Sequence, residues 1–170
     1  MLRADPVGPR ITYYDDATSE RIQLSAATLA NWATKTGNLL RDELAVGPAS
    51  RITILLPPHW QTMAVLFGAW LIGAETLLGP ADPTADLALC TAKRLHETLA
   101  NTAPDGEVAV LSPDPFGQTT PGLPVGVTDY ATAVRMHSDQ LVPERHPGPA
   151  LAGQSVEEIL ADCEKSLATR

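Results

Sequence analysis

This sequence has little of what the commoner chemistries need. It carries only three lysines, Lys35, Lys93 and Lys165, and none follows a glycine, which excludes the Gly-Lys-Ser/Thr loop that holds phosphates in P-loop enzymes. No Gly-x-Gly-x-x-Gly follows a candidate strand, so the usual dinucleotide fingerprint is missing. There is no Gly-x-Ser-x-Gly elbow to present a serine nucleophile. The histidines, His59, His96, His137 and His146, never stand three or four apart, the spacing that puts two ligands on one helical face, and no metal site is expected. Basic residues are scattered singly apart from Lys93-Arg94, and the formal net charge is -8. Nothing here could track a phosphate backbone, and nucleic acid is not an expected partner. The longest nearly uncharged run, residues 63–79, is broken by Glu75 and falls short of the roughly 20 residues of a membrane span. The N-terminus has no apolar h-region, which points to the cytosol. Cys90 and Cys163 then read as buried, unreactive free thiols.

What is present is the material of one buried core. With 170 residues, 44% hydrophobic and 19% charged, the chain is long enough to fold as a globular unit. Residues 12–14 and 21–24 alternate around the polar turn 15–19, a hairpin pattern. Ser25 stands at an N-cap position before a helix running to about residue 44, with Leu29, Trp32, Ala33, Thr36 and Leu40 at helical spacing. Residues 51–56 are a short aliphatic run of the kind buried on both faces of a sheet. A helix over 59–72 and a strand over 75–78 complete a β-α-β unit with a right-handed crossover. Weaker units follow: a strand over 86–90, a helix over 91–101 and a strand over 107–111. The expected class is α/β, a layered and partly parallel sheet flanked by helices.

Beyond this the character changes. Residues 1–112 read as the α/β subdomain. Residues 113–154 are proline-rich and read as an arm or linker with one helix somewhere in 128–140. Residues 155–170 read as an amphipathic helix, with Ser155 and Glu158 at capping-box spacing. Two polar features stand out. Gly117-Gln-Thr-Thr-Pro-Gly-Leu-Pro124 looks like a phosphate loop, but Pro121 and Pro124 delete amide donors and no lysine accompanies it, so it reads as a plain turn. His59, Trp60 and Gln61 follow a strand at its carboxyl end, where α/β sheets place ligands. The simpler account is that His59 caps the helix, Trp60 packs under the sheet and Gln61 is solvated, with a ligand site as the alternative.

Residues 11–83 carry a resemblance. Ile11-Thr-Tyr-Tyr-Asp, Leu24-Ser-Ala-Ala-Thr-Leu29, Arg51-Ile-Thr-Ile-Leu-Leu-Pro57, Gly73-Ala-Glu and Asp82-Pro83 resemble the opening segment of the adenylate-forming, AMP-binding family of acyl-CoA synthetases. The closest resemblance is to short actinobacterial proteins that hold this region alone. The resemblance implies the fold of that family's N-terminal subdomain. The family's Pro-Lys-Gly phosphate loop, its acidic nucleotide motifs and its C-terminal lysine have no counterpart here, so no catalytic residue carries over. ATP, AMP and magnesium would enter only if the missing motifs were supplied from elsewhere. The leading expectation is a non-catalytic scaffold or accessory module binding a protein or a small acyl or nucleotide ligand. The alternatives are one part of an ATP-dependent acid-thiol ligase, and a structural protein that oligomerises through a sheet edge or through helix 155–170.

Overall fold

A computed structural model describes residues 6–16, 18–114, 117–145 and 148–168. The chain opens with a hairpin of β1 (Pro9–Asp15) and β2 (Glu20–Ser25), paired antiparallel. Ser25 then caps α1 (Ala26–Asp42), its hydroxyl accepting the Thr28 N–H at 3.1 Å. After β3 (Arg51–Leu55) come α2 (Trp60–Leu71) and β4 (Glu75–Leu78). Next are β5 (Leu87–Cys90), a 3₁₀ turn over Ala92–Arg94, α3 (Leu95–Asn101) and β6 (Glu107–Val110). The chain closes with β7 (Val127–Asp129), α4 (Tyr130–Arg135) and α5 (Val156–Ala168).

Strands β3 to β7 form one parallel sheet in the order β4-β3-β5-β6-β7. Alternation along the strands separates two cores. Ile52, Ile54, Leu87, Leu89 and Ala109 face α1, α2 and α4, where Leu39, Leu40, Val65, Leu66, Ala69 and Val134 meet them. Leu55, Ala88, Cys90, Val108 and Val110 face the other way and pack with Leu95 at the start of α3. The sheet is thus covered on both sides, which is why its strands read as aliphatic runs.

The proline-rich segment 113–154 contributes strand β7 and helix α4 to this body. Helix α4 stops at Arg135 because α1 captures the carbonyls that follow. Lys35 Nζ donates to His137 O, and Asn38 Nδ2 donates to Ser138 O at 2.8 Å and Gln140 O at 2.9 Å. At the far edge, residues 150–152 lie along β4: Thr76 N–H donates to Ala150 O, and Ala152 N–H to Thr76 O at 3.0 Å. The Thr76 hydroxyl is buried there, donating to Ala150 O at 2.7 Å and accepting from Trp70 Nε1 at 3.0 Å.

Helix α5 carries its capping box, with Ser155 N donating to Glu158 Oε2 at 2.7 Å and Glu158 N to Ser155 Oγ at 3.3 Å. Its apolar side is only partly covered: Val156 and Ile159 are half-buried, but Leu160 is 49% exposed, and Cys163 is exposed rather than buried as the sequence suggested. Among the described residues no helix is long and apolar enough to cross a membrane.

Helices α1 and α2 cross at backbone distance. A Cβ placed on Gly68 would lie 2.8 Å from Ala33 O and 2.9 Å from Gly37 N, and one on Gly37 would lie 3.1 Å from Gly68 O. Gly68→Ala is therefore expected to cost about 1–3 kcal/mol by overpacking, read from urea unfolding midpoints. Gly47→Ala, where an added Cβ meets nothing within 4 Å, serves as the control and should change stability by under about 0.5 kcal/mol.

Candidate functional site at the start of helix α2

The strand order reverses between β3 and β5, since the chain runs outward to β4 on one side and to β6 and β7 on the other. The carboxyl ends of these strands are where an α/β sheet opens toward ligands. Strand β3 delivers Leu56, Pro57 and Pro58 to this point, and the prolines end the extended run before α2 begins. His59 takes the N-cap with extended backbone, and its Nδ1 accepts the Gln61 N–H at 3.3 Å. Because Nδ1 accepts, the neutral ring carries its proton on Nε2.

His59 is the middle of an aromatic series. Its ring meets Tyr13 of β1 edge-on, with centroids 4.8 Å apart, and Trp60 at 5.6 Å; Trp60 in turn meets Trp32 of α1 edge-on at 5.4 Å. All three residues of the cluster are buried, Gln61 included, so the expectation that Gln61 is solvated fails. Gly117 explains this, because its backbone lies over the amide: a Cβ on Gly117 would sit 2.9 Å from Gln61 Nε2. Sequence reasoning missed that contact because 55 intervening residues hide it.

Three polar atoms in this cluster have no partner among the described residues: His59 Nε2, Trp60 Nε1 and Gln61 Oε1. Burial lowers the His59 pKa below its ordinary 6.5, and the charges of Asp114 and Asp15 pull it the other way. The chemistry on offer is two N–H donors and one amide acceptor in a dry setting, with a neutral imidazole that resists protonation.

The loop over residues 117–124 begins over this cluster at Gly117, and two of its amides are engaged by acceptors outside the loop. Gly117 N–H donates to Asp114 O at 3.0 Å, and Thr120 N–H donates to Asp129 Oδ1 at 2.9 Å. Gly117 O accepts from Arg135 Nη2 at 2.8 Å. The arrangement places a carboxylate on the Thr120 amide and a guanidinium on the Gly117 carbonyl.

Two further features bear on the site. A cavity of about 420 Å³ opens at the carboxyl ends of β3 and β4, walled by Leu55, Leu56, Pro57 and Leu78 with Arg94 at one side. Arg94 is paired with Glu97 at 2.9 Å, and no sequence signal marked it. Cys90 ends β5 buried, and burial pushes its thiol pKa up against the opposing effects of Thr98 and Arg94, so it is a poor nucleophile. Among the described residues no group of three or more His, Cys, Asp or Glu is placed to hold a metal ion.

The His59 environment sets a pH dependence. A base whose folded pKa is depressed contributes stability above its unfolded pKa and loses it as pH falls, because the unfolded chain takes up the proton first. Unfolding free energy should therefore drop as pH is lowered from about 7.5 to about 5.5, beyond what the carboxylates account for. His59→Asn, which keeps an N-cap acceptor without titrating there, should flatten that part of the profile in urea titrations. An unchanged slope would show that His59 is not the responsible group.

With this geometry in view, the chain was compared with known proteins. No protein-family model matches it. It is 72% identical over 173 residues to a protein of Mycobacterium tuberculosis (strain ATCC 25618 / H37Rv) described as a TIGR03089 family protein, a match covering 100% of this chain and 70% of that one. Among solved structures it is similar to an acyl-CoA synthetase of Brucella canis, with TM-score 0.69 and 21% identity over 86% of this chain. It is also similar to a fatty acyl CoA synthetase of Mycobacterium tuberculosis, with TM-score 0.63 and 12% identity over 88% of this chain. A benzoate CoA ligase from Burkholderia xenovorans LB400 gives TM-score 0.61 and 13% identity, again over 88%. The chain spans 28% of the first of these structures and 30% of the other two. At such identities the likeness is one of fold, and the fold is the layered α/β architecture of acyl-CoA synthetases that residues 11–83 resemble.

Proposed function

The chain belongs to the TIGR03089 protein family, and from that premise we propose that it is a non-catalytic, acyl-CoA synthetase-like scaffold, an accessory module of the cytosol that binds rather than activates. The observation that supports this most is the loop over residues 117–124. A loop that holds a triphosphate turns several free amides and a lysine ammonium toward the phosphate oxygens. Here the Gly117 and Thr120 amides are spent on Asp114 O and Asp129, and positions 121 and 124 are prolines. The Asp129 carboxylate that takes the Thr120 amide would repel a phosphate there, and the Arg135 guanidinium on the other side is already bound to Gly117 O. These residues do not fit a nucleotide.

A second reading draws on the partly uncovered apolar face of α5. In it the chain is one part of an ATP-dependent acid-thiol ligase, and further residues cover that helix and supply the phosphate-binding groups. The enzymes that share the fold are about three times as long as this chain, which agrees with such a part.

ATP–pyrophosphate exchange with a panel of carboxylic acids separates the two. The scaffold reading expects no exchange above the protein-free blank. Exchange by the chain alone would overturn it, and exchange that appears only on adding a second polypeptide would establish the ligase reading instead.

A further inference from the structure

Helix α1 presents Thr28, Asn31, Trp32 and Lys35 along one face, and Arg135 at the end of α4 closes the opposite side. Together they line an open groove of about 390 Å³. The two cations are held by carbonyl oxygens and not by carboxylates: Lys35 donates to His137 O, and Arg135 to Gly117 O. Among the described residues neither takes part in an ion pair. A carbonyl fixes where a cation sits without neutralising it. In a chain of net charge -8 this leaves two positioned positive charges uncompensated on one groove.

The remaining wall is aromatic. Trp32 is half-buried and braced from behind by Trp60, so its ring is held in place. Met136, 84% exposed, follows Arg135 directly. Trp, Arg and Met are the residue types that protein interfaces concentrate at their centres. Small-molecule sites, by contrast, are enclosed, whereas this groove is open and carries two cations on its rim. Its helical side, from residue 28 to 35, runs about 10 Å at helical rise, the reach of roughly three extended residues.

We propose that this groove docks an extended acidic segment of a partner protein, carboxylates meeting Lys35 and Arg135 and an apolar side chain lying on Trp32. The inference gives the accessory-module reading its partner chemistry and rests on that reading only for its biological sense. The exchange assay tests catalysis, and the binding measurement below tests the groove, so the two fail separately.

The probe is a fluorescein-labelled Glu-Asp-Phe-Glu-Asp peptide with an amidated C-terminus, followed by fluorescence anisotropy. Saturable binding is expected, weakening at least about tenfold between about 20 and 300 mM salt, because exposed charge pairs are screened. The charge-inverted Lys-Arg-Phe-Lys-Arg peptide should not bind. Asn31→Glu adds a carboxylate to the groove without deleting a hydrogen bond and should weaken binding at least about tenfold. Lys35→Glu should act in the same direction, with its melting curve checked because it also frees His137 O. Absence of saturable binding up to about 1 mM peptide, roughly the floor of specific recognition, would overturn the proposal. So would binding that survives Asn31→Glu, or displacement by benzoate or inorganic phosphate at concentrations matching the peptide, which would make the groove a small-anion site.

Discussion

The contact on which the rest of this molecule depends is the backbone approach of α1 and α2 at Gly68. Helix α2 is apolar nearly all round, so its hydrophobic pattern does not by itself select the face that meets α1. The one position without a side chain does. Gly68 lets its turn settle against Ala33 O and Gly37 N, and Gly37 returns the allowance from the other helix. Any side chain at position 68 would push the axes apart, and the edge-on contact of Trp32 with Trp60, which spans the two helices, would go with them. That aromatic contact is therefore downstream of a packing constraint.

Polar groups inside that packing are handled in two ways. The Thr36 hydroxyl donates to Trp32 O at 2.7 Å, which leaves it as the acceptor for Tyr130, and Tyr130 is buried with its pKa pushed up to about 12. Each hydroxyl has its partner, and this pair joins α1 to α4 without penalty. The start of α2 is the opposite case. Three consecutive residues hold buried polar atoms with no partner among the described residues, each of which costs on the order of 1–3 kcal/mol relative to a satisfied group. Native chains carry few such atoms, and rarely in succession. They gather at the carboxyl end of β3, where the strand order reverses.

The sequence disclosed what is local and hid what is not. Hairpin, capped α1, aliphatic β3 and the β3-α2-β4 crossover all carry their signals within ten or twenty residues, as periodicity, a Ser25 cap and paired prolines. Strand β7 has three residues between a proline-rich stretch and a helix, too few for alternation to register. Gln61 looked solvated because its cover, Gly117, arrives from a loop 56 residues away. Cys163 looked buried because a helical apolar stripe implies a covering surface, and the half-burial of Val156 and Ile159 does not extend to it. The groove of Lys35 and Arg135 is of the same kind: a hundred residues separate the two cations, and only the carbonyls of His137 and Gly117 bring them to one place.

One carboxylate shows how closely the loop over 117–124 is bound to the fold. Asp129 ends β7 and caps α4, accepting the Thr132 N–H at 3.0 Å through Oδ2, while Oδ1 accepts the Thr120 N–H at 2.9 Å. A phosphate approaching this loop would have to displace Asp129 from Thr120 and would meet its negative charge in doing so. Displacing the carboxylate altogether would also uncap α4, at about 0.5–2 kcal/mol, and α4 carries the buried Tyr130 and Val134 of the core. The Arg135 guanidinium, at the other end of α4, is already turned to Gly117 O and holds the loop from that side. Loop, cap and helix thus form a single unit that occupies the Gly117 and Thr120 amides. Substituting one residue within the loop would not release them, because the competing acceptor lies outside it, in the strand that the sheet itself positions.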